Sequence, residues 1–182
     1  MRALAEVDPI AAFNTRAKQA GWTMTCEAAR SFKRRELSAV LALWQERAGT
    51  RRMPARSDLT ARVMKPYLPH MSLIERIGSG AHVRYRGRLH GTALARYAGD
   101  KTGLFLDEVL PAHLIGGYTG IYDAALELRQ PLRVVCHYQV PEIDYLDGES
   151  LVAPLSAAGH NVPLILSVTY AGPRDHAMAL GA

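Results

Sequence analysis

Polar and apolar positions alternate most regularly over residues 83–90. Val83, Tyr85, Gly87 and Leu89 fall on one side there, and Arg84, Arg86, Arg88 and His90 on the other. A two-residue period of this kind marks a half-buried strand with one apolar and one cationic face. Gly91 and Thr92 break the alternation, Leu94, Ala95 and Tyr97 follow at helical spacing, and Gly99, Asp100, Thr102 and Gly103 punctuate a corner. Residues 70–77 read as the antiparallel partner, joined through the turn Gly78-Ser79-Gly80.

Upstream, Leu37, Val40, Leu41, Trp44 and Ala48 repeat at three and four, which predicts a helix with one buried face, started by Ser31 as N-cap and ended by Gly49. Lys33, Arg34, Arg35 and Glu36 form its first turn. Positive charge at a helix N-terminus is unfavourable and hints at an outside partner. Residues 1–30 carry only a weak amphipathic signal at Ile10, Phe13 and Ala17, and predict a loose helix or a partly ordered arm. An arginine-rich connector with Pro54 spans 49–59, and a short helical piece lies around 59–64.

Downstream, 106–110 reads as one helical turn. Pro111 opens a longer helix to about residue 129, with Leu114, Tyr118, Ile121, Tyr122, Ala125 and Leu128 on one stripe. Gly116, Gly117 and Gly120 cost about 1 kcal/mol each relative to alanine, so its first half is expected to be irregular or mobile. Three strand-like runs close the chain at 132–140, 149–156 and 163–171, with turns at 141–148 and 157–161. Hairpins at both ends with helices between them predict an α+β fold. The expected architecture is a five-stranded antiparallel sheet with helices on one face, preceded by a helical extension. The expected organisation is an arm over 1–30, the leading helix and connector over 31–69, a core over 70–171 and a tail over 172–182.

The charge is unevenly placed. Residues 1–58 hold 11 Lys and Arg against 6 Asp and Glu, which is the whole net +5, and the 11 basic and 11 acidic residues of the remainder cancel. The basic arm lacks the interleaved aromatics of a nucleic-acid stacking platform, which argues against nucleic acid as a partner. Cys26 and Cys136 are far apart and form no CxxC, so they read as free thiols of a reducing compartment. No apolar run reaches a membrane span, and the first ten residues lack the apolar core of a signal peptide. The expected location is therefore cytoplasmic.

The order strand, strand, helical block, three strands is that of the PAS fold, and local motifs agree with it. The chain resembles the single-domain PAS family of alphaproteobacteria often labelled PAS_5. That family's tryptophan helix and RxxPxRxD connector are matched by Trp44, Arg51, Arg52, Met53, Pro54, Arg56 and Asp58. Its YR..GT turn is matched by Tyr85, Arg88, Gly91 and Thr92. Its GRDLTG corner is met by Asp100, Thr102 and Gly103, with departures at Ala98, Gly99 and Lys101. Its PLs..G strand end is met by Pro154, Leu155, Ser156 and Gly159.

The resemblance implies a ligand held between the inner sheet face and the central helices. By alternation the inner set is Leu73, Tyr85, Leu89, Val134, Cys136, Tyr138, Leu164, Leu166 and Val168, joined by Tyr97, Phe105, Tyr118 and Tyr122 from the helices. Of these, Tyr85, Leu89, Tyr97, Phe105, Tyr118, Tyr122, Cys136, Tyr138 and Leu166 are the candidate ligand-binding residues. Converging tyrosines suit a flat or polar small molecule. The competing reading has them plugging the core, with Cys136 as a small buried hydrophobe.

The cofactor stays unknown. Flavin photochemistry would need a cysteine in 90–110, where there is none, and the only histidine placed for an axial haem ligand is His113 near the start of the long helix. Cys136 and His137 point to opposite faces of a strand, so no metal site is predicted. Hydrolase, P-loop, zinc-protease and kinase signatures are absent from the sequence. Glu142, Asp144, Asp147 and Glu149 read as a solvated hairpin, and His160 with Asn161 as a turn.

Arg52 and Arg56 form an RxxxR of the sort that grips phosphate in PilZ domains, without the companion D/NxSxxG. Otherwise Arg51, Arg52, Arg56, Arg88 and Asp100 are structural, the connector arginines pairing with Asp58 or Asp100 and locking the leading helix down. The resemblance implies a non-catalytic sensory or regulatory module that binds an unidentified small molecule, a signalling protein, or both, and that could pair two protomers through the leading helix. The alternative is a nucleotide-binding protein or small enzyme using the basic connector.

Overall fold

The computed structural model describes residues 8–139, 141–156 and 163–173. Helix α1 (Pro9–Ala20) leads to a short strand β1 (Met24–Ala28), a longer helix α2 (Arg35–Ala48) and a single turn α3 (Ala61–Met64). Strands β2 (Met71–Ile77) and β3 (Arg84–His90) form a hairpin, followed by helices α4 (Thr92–Ala98), α5 (Leu106–Val109) and α6 (Ala112–Leu128). Strands β4 (Leu132–His137), β5 (Leu146–Leu155) and β6 (Leu164–Pro173) complete the sheet. The turn at 157–161, with Gly159, His160 and Asn161, lies outside the described residues, as do the first seven and last nine residues.

The six strands make one antiparallel sheet in the order β1-β4-β5-β6-β2-β3. The α+β class and the preceding helix stand as expected. The sixth strand is β1, which adds itself to the edge at β4 with Met24 opposite Cys136. It was hidden because it is five residues long and its partner is remote in sequence, so no hairpin turn announces it. Asp8 caps α1 by accepting the Ile10 N–H at 3.0 Å, Pro9 takes its first turn, and Gly21 closes it in a left-handed conformation.

Both faces of the sheet are covered. On one, the predicted stripe of α2 is buried against Leu151, Ala153, Leu155, Leu166 and Val168, and Trp44 Nε1 donates to the Pro154 carbonyl at 3.0 Å. The stripe of α2 is thus the face by which the helix packs on the chain's own sheet, as its pattern predicts. The connector docks on the end of β5, where the Ser156 N–H donates to the carbonyl of the fully buried Pro54 at 2.8 Å.

The other face carries α6, with α1 against it. Gly116, Gly117 and Gly120 do not make α6 irregular, because their lack of side chains lets the N-terminal elements close in. A Cβ at Gly116 would stand 2.9 Å from the Trp22 ring, at Gly117 2.8 Å from Met24 Sδ, and at Gly120 3.1 Å from the Phe13 ring. Trp22 is pinned there by a 2.7 Å hydrogen bond from Nε1 to the His113 carbonyl.

With both faces buried, β5 and β6 are apolar at consecutive positions, and alternation no longer says which set meets which helix. Leu73, Leu164, Leu166 and Val168, expected toward the central helices, belong to the α2 side, whereas Ile74, Val152 and Ile165 take the α6 side.

Candidate functional site

Strand β3 contains the irregularity that decides what the site holds. Leu73 pairs with Leu89 and Ile74 with Gly87, so Arg88 is an extra residue, a β-bulge. Tyr85 and Gly87 keep the face predicted for them, but beyond Arg88 the phase reverses. Leu89 now shares a face with Leu73 and packs on the α2 cluster, and His90, expected among the arginines, shares a face with Ser72 on the helical side. Arg86 and Arg88 converge on the buried Glu75, with Arg88 Nη1 at 3.2 Å.

The corner after β3 is tied to the strand by backbone. The Gly91 N–H donates to the Met71 carbonyl at 2.8 Å, and a Cβ at Gly91 would lie 2.3 Å from the Pro69 carbonyl oxygen, so no other residue fits. The Gly103 N–H donates to the Gly87 carbonyl at 2.7 Å, and the His90 N–H to Thr102 Oγ1 at 3.1 Å. Asp100 is exposed and accepts the Thr102 N–H at 2.8 Å, and hydrogen bonding from Thr102 holds its carboxyl below the usual range. It caps its own loop instead of meeting a connector arginine.

Between this corner, the sheet and the helices lies a cavity of about 150 Å³, room for one benzene-sized ring. Ile74, Leu94, Leu106 and Val109 form its apolar walls together with Tyr118, Tyr122 and Tyr138. The exposed Tyr97 and Leu104 stand at the rim with Lys101. A second cavity of about 60 Å³ lies beside it, sharing the same three tyrosines and adding Cys136.

Burial keeps this interior uncharged. It raises the phenol pKa values of Tyr118, Tyr122 and Tyr138 and pushes the Cys136 thiol up to about 12. It also lowers the His90 pKa, outweighing the opposite pull of Asp100. Besides the tyrosines and Lys101, the polar groups in the wall are Ser72, whose Oγ is hydrogen-bonded to His90 Nδ1 at 3.0 Å, and Ser167 and Thr169, the latter paired with Ser150 Oγ at 2.8 Å. His90 Nε2 is buried and has no hydrogen-bond partner among the described residues.

Five of the candidate residues line the larger cavity: Leu89, Tyr97, Tyr118, Tyr122 and Tyr138. Cys136 lines the smaller one. Tyr85 stands behind Tyr122, ring centroids 5.3 Å apart, and donates to Asp123 at 2.5 Å. Phe105 lies outside, with the Arg84 guanidinium 3.7 Å over its ring, and Leu166 is on the α2 face. Sequence reasoning missed His90, Ser72, Ser167 and Thr169. The one available signal was Gly87 inside a strand, a common sign of a bulge.

Two of the three connector arginines are spent locally. Arg51 pairs with Asp58 at 2.9 Å and donates to the carbonyls of Arg47 and Ala48, and Arg56 donates to the Leu59 carbonyl at 2.6 Å. Arg52 is exposed. The acidic hairpin is partly a misreading, because Glu149 is buried in β5 and Asp147 Oδ1 meets His137 Nδ1 at 2.9 Å. His113 is exposed and does not line the cavity. Among the described residues no His, Cys, Asp and Glu cluster could hold a metal ion, and no helix is long and apolar enough to cross a membrane.

A model of the family described as PAS domain matches residues 32–169 of the chain. No curated protein matches it.

Proposed function

The chain belongs to the PAS domain family, and from that premise we propose that it is a cytoplasmic, non-catalytic sensory module that binds a small molecule between the sheet and α4–α6. PAS domains typically sense or regulate, and the observation that carries the finer reading is the 150 Å³ cavity with Tyr118, Tyr122 and Tyr138 in its wall and the rim at Tyr97. The raised pKa values of Cys136 and the three tyrosines leave no activated nucleophile among them, which favours binding over catalysis. Occupancy would be read out by a partner protein at the surface, through the α4–α5 corner that both closes the cavity and faces solvent. A nucleotide-binding protein or small enzyme built on the connector has less support, because Arg51 and Arg56 donate within their own loop.

Native mass spectrometry of the purified protein tests the reading. A bound mass that leaves on denaturation supports it. A protein that carries no small molecule and takes up none from a library of single-ring compounds defeats it.

A further inference from the structure

The reading of the cavity as a ligand site leaves the ligand's chemistry open, and the inference that follows rests on that reading. Size narrows the class first. At about 150 Å³ the larger cavity accepts one ring, and the neighbouring 60 Å³ has room for a small polar substituent. Tyr118, Tyr122 and Tyr138 line both, so a ligand seated between the two meets all three side chains. Their rings suit an aromatic ligand, which packs on them offset or edge-on.

The hydroxyls of these tyrosines carry the next step. Burial raises all three pKa values, so each stays a neutral O–H. None of the three is hydrogen-bonded among the described residues, yet unlike His90 Nε2 none is sealed off, so each keeps accessible surface inside the domain. They also converge. Tyr118 and Tyr138 each lie close enough to Tyr122 and to the Cys136 thiol for electrostatic interaction. A Cβ on Gly148 would stand 3.2 Å from the Tyr138 hydroxyl and 3.0 Å from Cys136 Sγ, which places those two polar atoms at one spot. Buried hydroxyls without partners are unfavourable, and three around one space leave their completion to an occupant.

What the occupant brings follows from what the walls lack. Among the described residues no Asp, Glu, Asn or Gln lines either cavity, the Ser72 hydroxyl is engaged with His90, and the Thr169 hydroxyl with Ser150. An amine would find no strong acceptor there, and a ligand hydroxyl would add one more donor to a wall of donors. A carbonyl oxygen offers two lone pairs and no proton of its own. The one cation lining the larger cavity, Lys101, stands at the rim, so a carboxylate held inside would have no counter-charge. We propose that the ligand is a neutral single-ring aromatic carbonyl compound, its ring against the tyrosine rings and its oxygen accepting from their hydroxyls.

Acetophenone and α-methylstyrene share one shape and differ in a carbonyl oxygen against a methylene, so they are the probes. Calorimetric titration of both into the wild-type protein and into the double variant Tyr118→Phe, Tyr138→Phe gives an affinity ratio for each protein. The expected result is a ratio that falls by about tenfold in the variant, the effect of losing buried hydrogen bonds to the carbonyl. In the wild-type protein alone, the ¹³C resonance of the bound acetophenone carbonyl should lie downfield of its position in cyclohexane, because hydrogen bonding at the oxygen deshields that carbon. This keeps the inference testable should the double variant not fold.

If both compounds bind, the ratio is the same in both proteins and the carbonyl resonance matches cyclohexane, the carbonyl class is overturned while the cavity reading stands. Tighter binding of benzoate or 1-phenylethanol than of acetophenone to the wild-type protein overturns it equally. If none of these compounds binds, the inference falls together with that reading.

Discussion

Glu149 offers the sharpest test of how α2 is held to the sheet. Its carboxylate accepts the backbone N–H groups of Lys33 and Arg34 at 3.0 Å each and the Arg133 Nε at 2.6 Å. It adds a carboxylate at the start of α2, where Lys33, Arg34 and Arg35 outnumber the helix's own Glu36. Burial works to raise the carboxyl pKa, but the two amides and the guanidinium outweigh it and hold Glu149 below the usual carboxylate range.

Replacing Glu149 by alanine removes three charge-assisted hydrogen bonds and leaves Arg133, whose side chain is 17% exposed, with only Glu27 at 2.7 Å. Breaking a buried pair from one side costs roughly 3–5 kcal/mol. Residues 33 and 34 are themselves exposed, so water takes over part of their loss and the expected cost drops to about 2–4 kcal/mol. For a domain of this size that lowers Tm by roughly 5–15 °C. Urea unfolding followed by circular dichroism measures it, and a loss under about 1 kcal/mol would refute the anchoring role.

The pH dependence adds a second check with a defined sign. A carboxyl depressed in the folded state contributes stability above its unfolded pKa of about 4.3, and loses that contribution as pH falls through the folded value. The stability gap between wild type and Glu149→Gln should be full at pH 7 and close below about pH 4. A gap that persists unchanged into acid would mean that the ion pair is not its source.

Three further outcomes are expected. With thiol pKa values pushed up to about 12 by burial, Cys26 and Cys136 should resist a thiol reagent at pH 8 in the folded protein and react when it is unfolded; rapid labelling of the native protein would contradict the burial of Cys26 and the enclosure of the half-buried Cys136. Gly91→Ala forces a Cβ onto the Pro69 carbonyl oxygen, a backbone atom that cannot swing away, and should cost about 2–3 kcal/mol in chemical denaturation; unchanged stability would show that the corner can open. Gly116→Leu drives a side chain into the Trp22 ring and should detach α1 and β1 from α6, read as new protease cleavage before residue 30 with the rest of the domain intact. Cleavage identical to wild type would refute the close packing.

The parts of the fold that were legible in the sequence are those whose pattern carries its own sign. The α2 stripe was read correctly because one of its faces is buried and the other wet, and α4 because Gly91 and Gly99 bracket it. The central strands were harder: Leu164, Ile165 and Leu166 are all buried, so period two says nothing about direction. Leu166 was assigned to the wrong side for that reason. Glu149 was taken for a solvated hairpin residue because its three partners, two of them main-chain amides, come from segments far away in sequence, and main-chain donors leave no mark on residue identity.

The site shows the same limit at the scale of one residue. Tyr118, Tyr122 and Tyr138 were found because they are large and fall on the right stripes. His90 was missed because the strand pattern continues smoothly through Arg88, the residue that bulges out of the pairing. One extra residue turns every later side chain of the strand to the other face. It turns Leu89 to pack on the α2 cluster, where its edge still lines the cavity, and brings His90 to the helical side beside Ser72. Without the bulge, His90 would stay among the arginines on the other face, and the wall would lose its imidazole. With it, His90 stands in the wall with Nδ1 hydrogen-bonded to Ser72 Oγ, so the one-residue insertion adds a polar pair to one side of a largely apolar cavity.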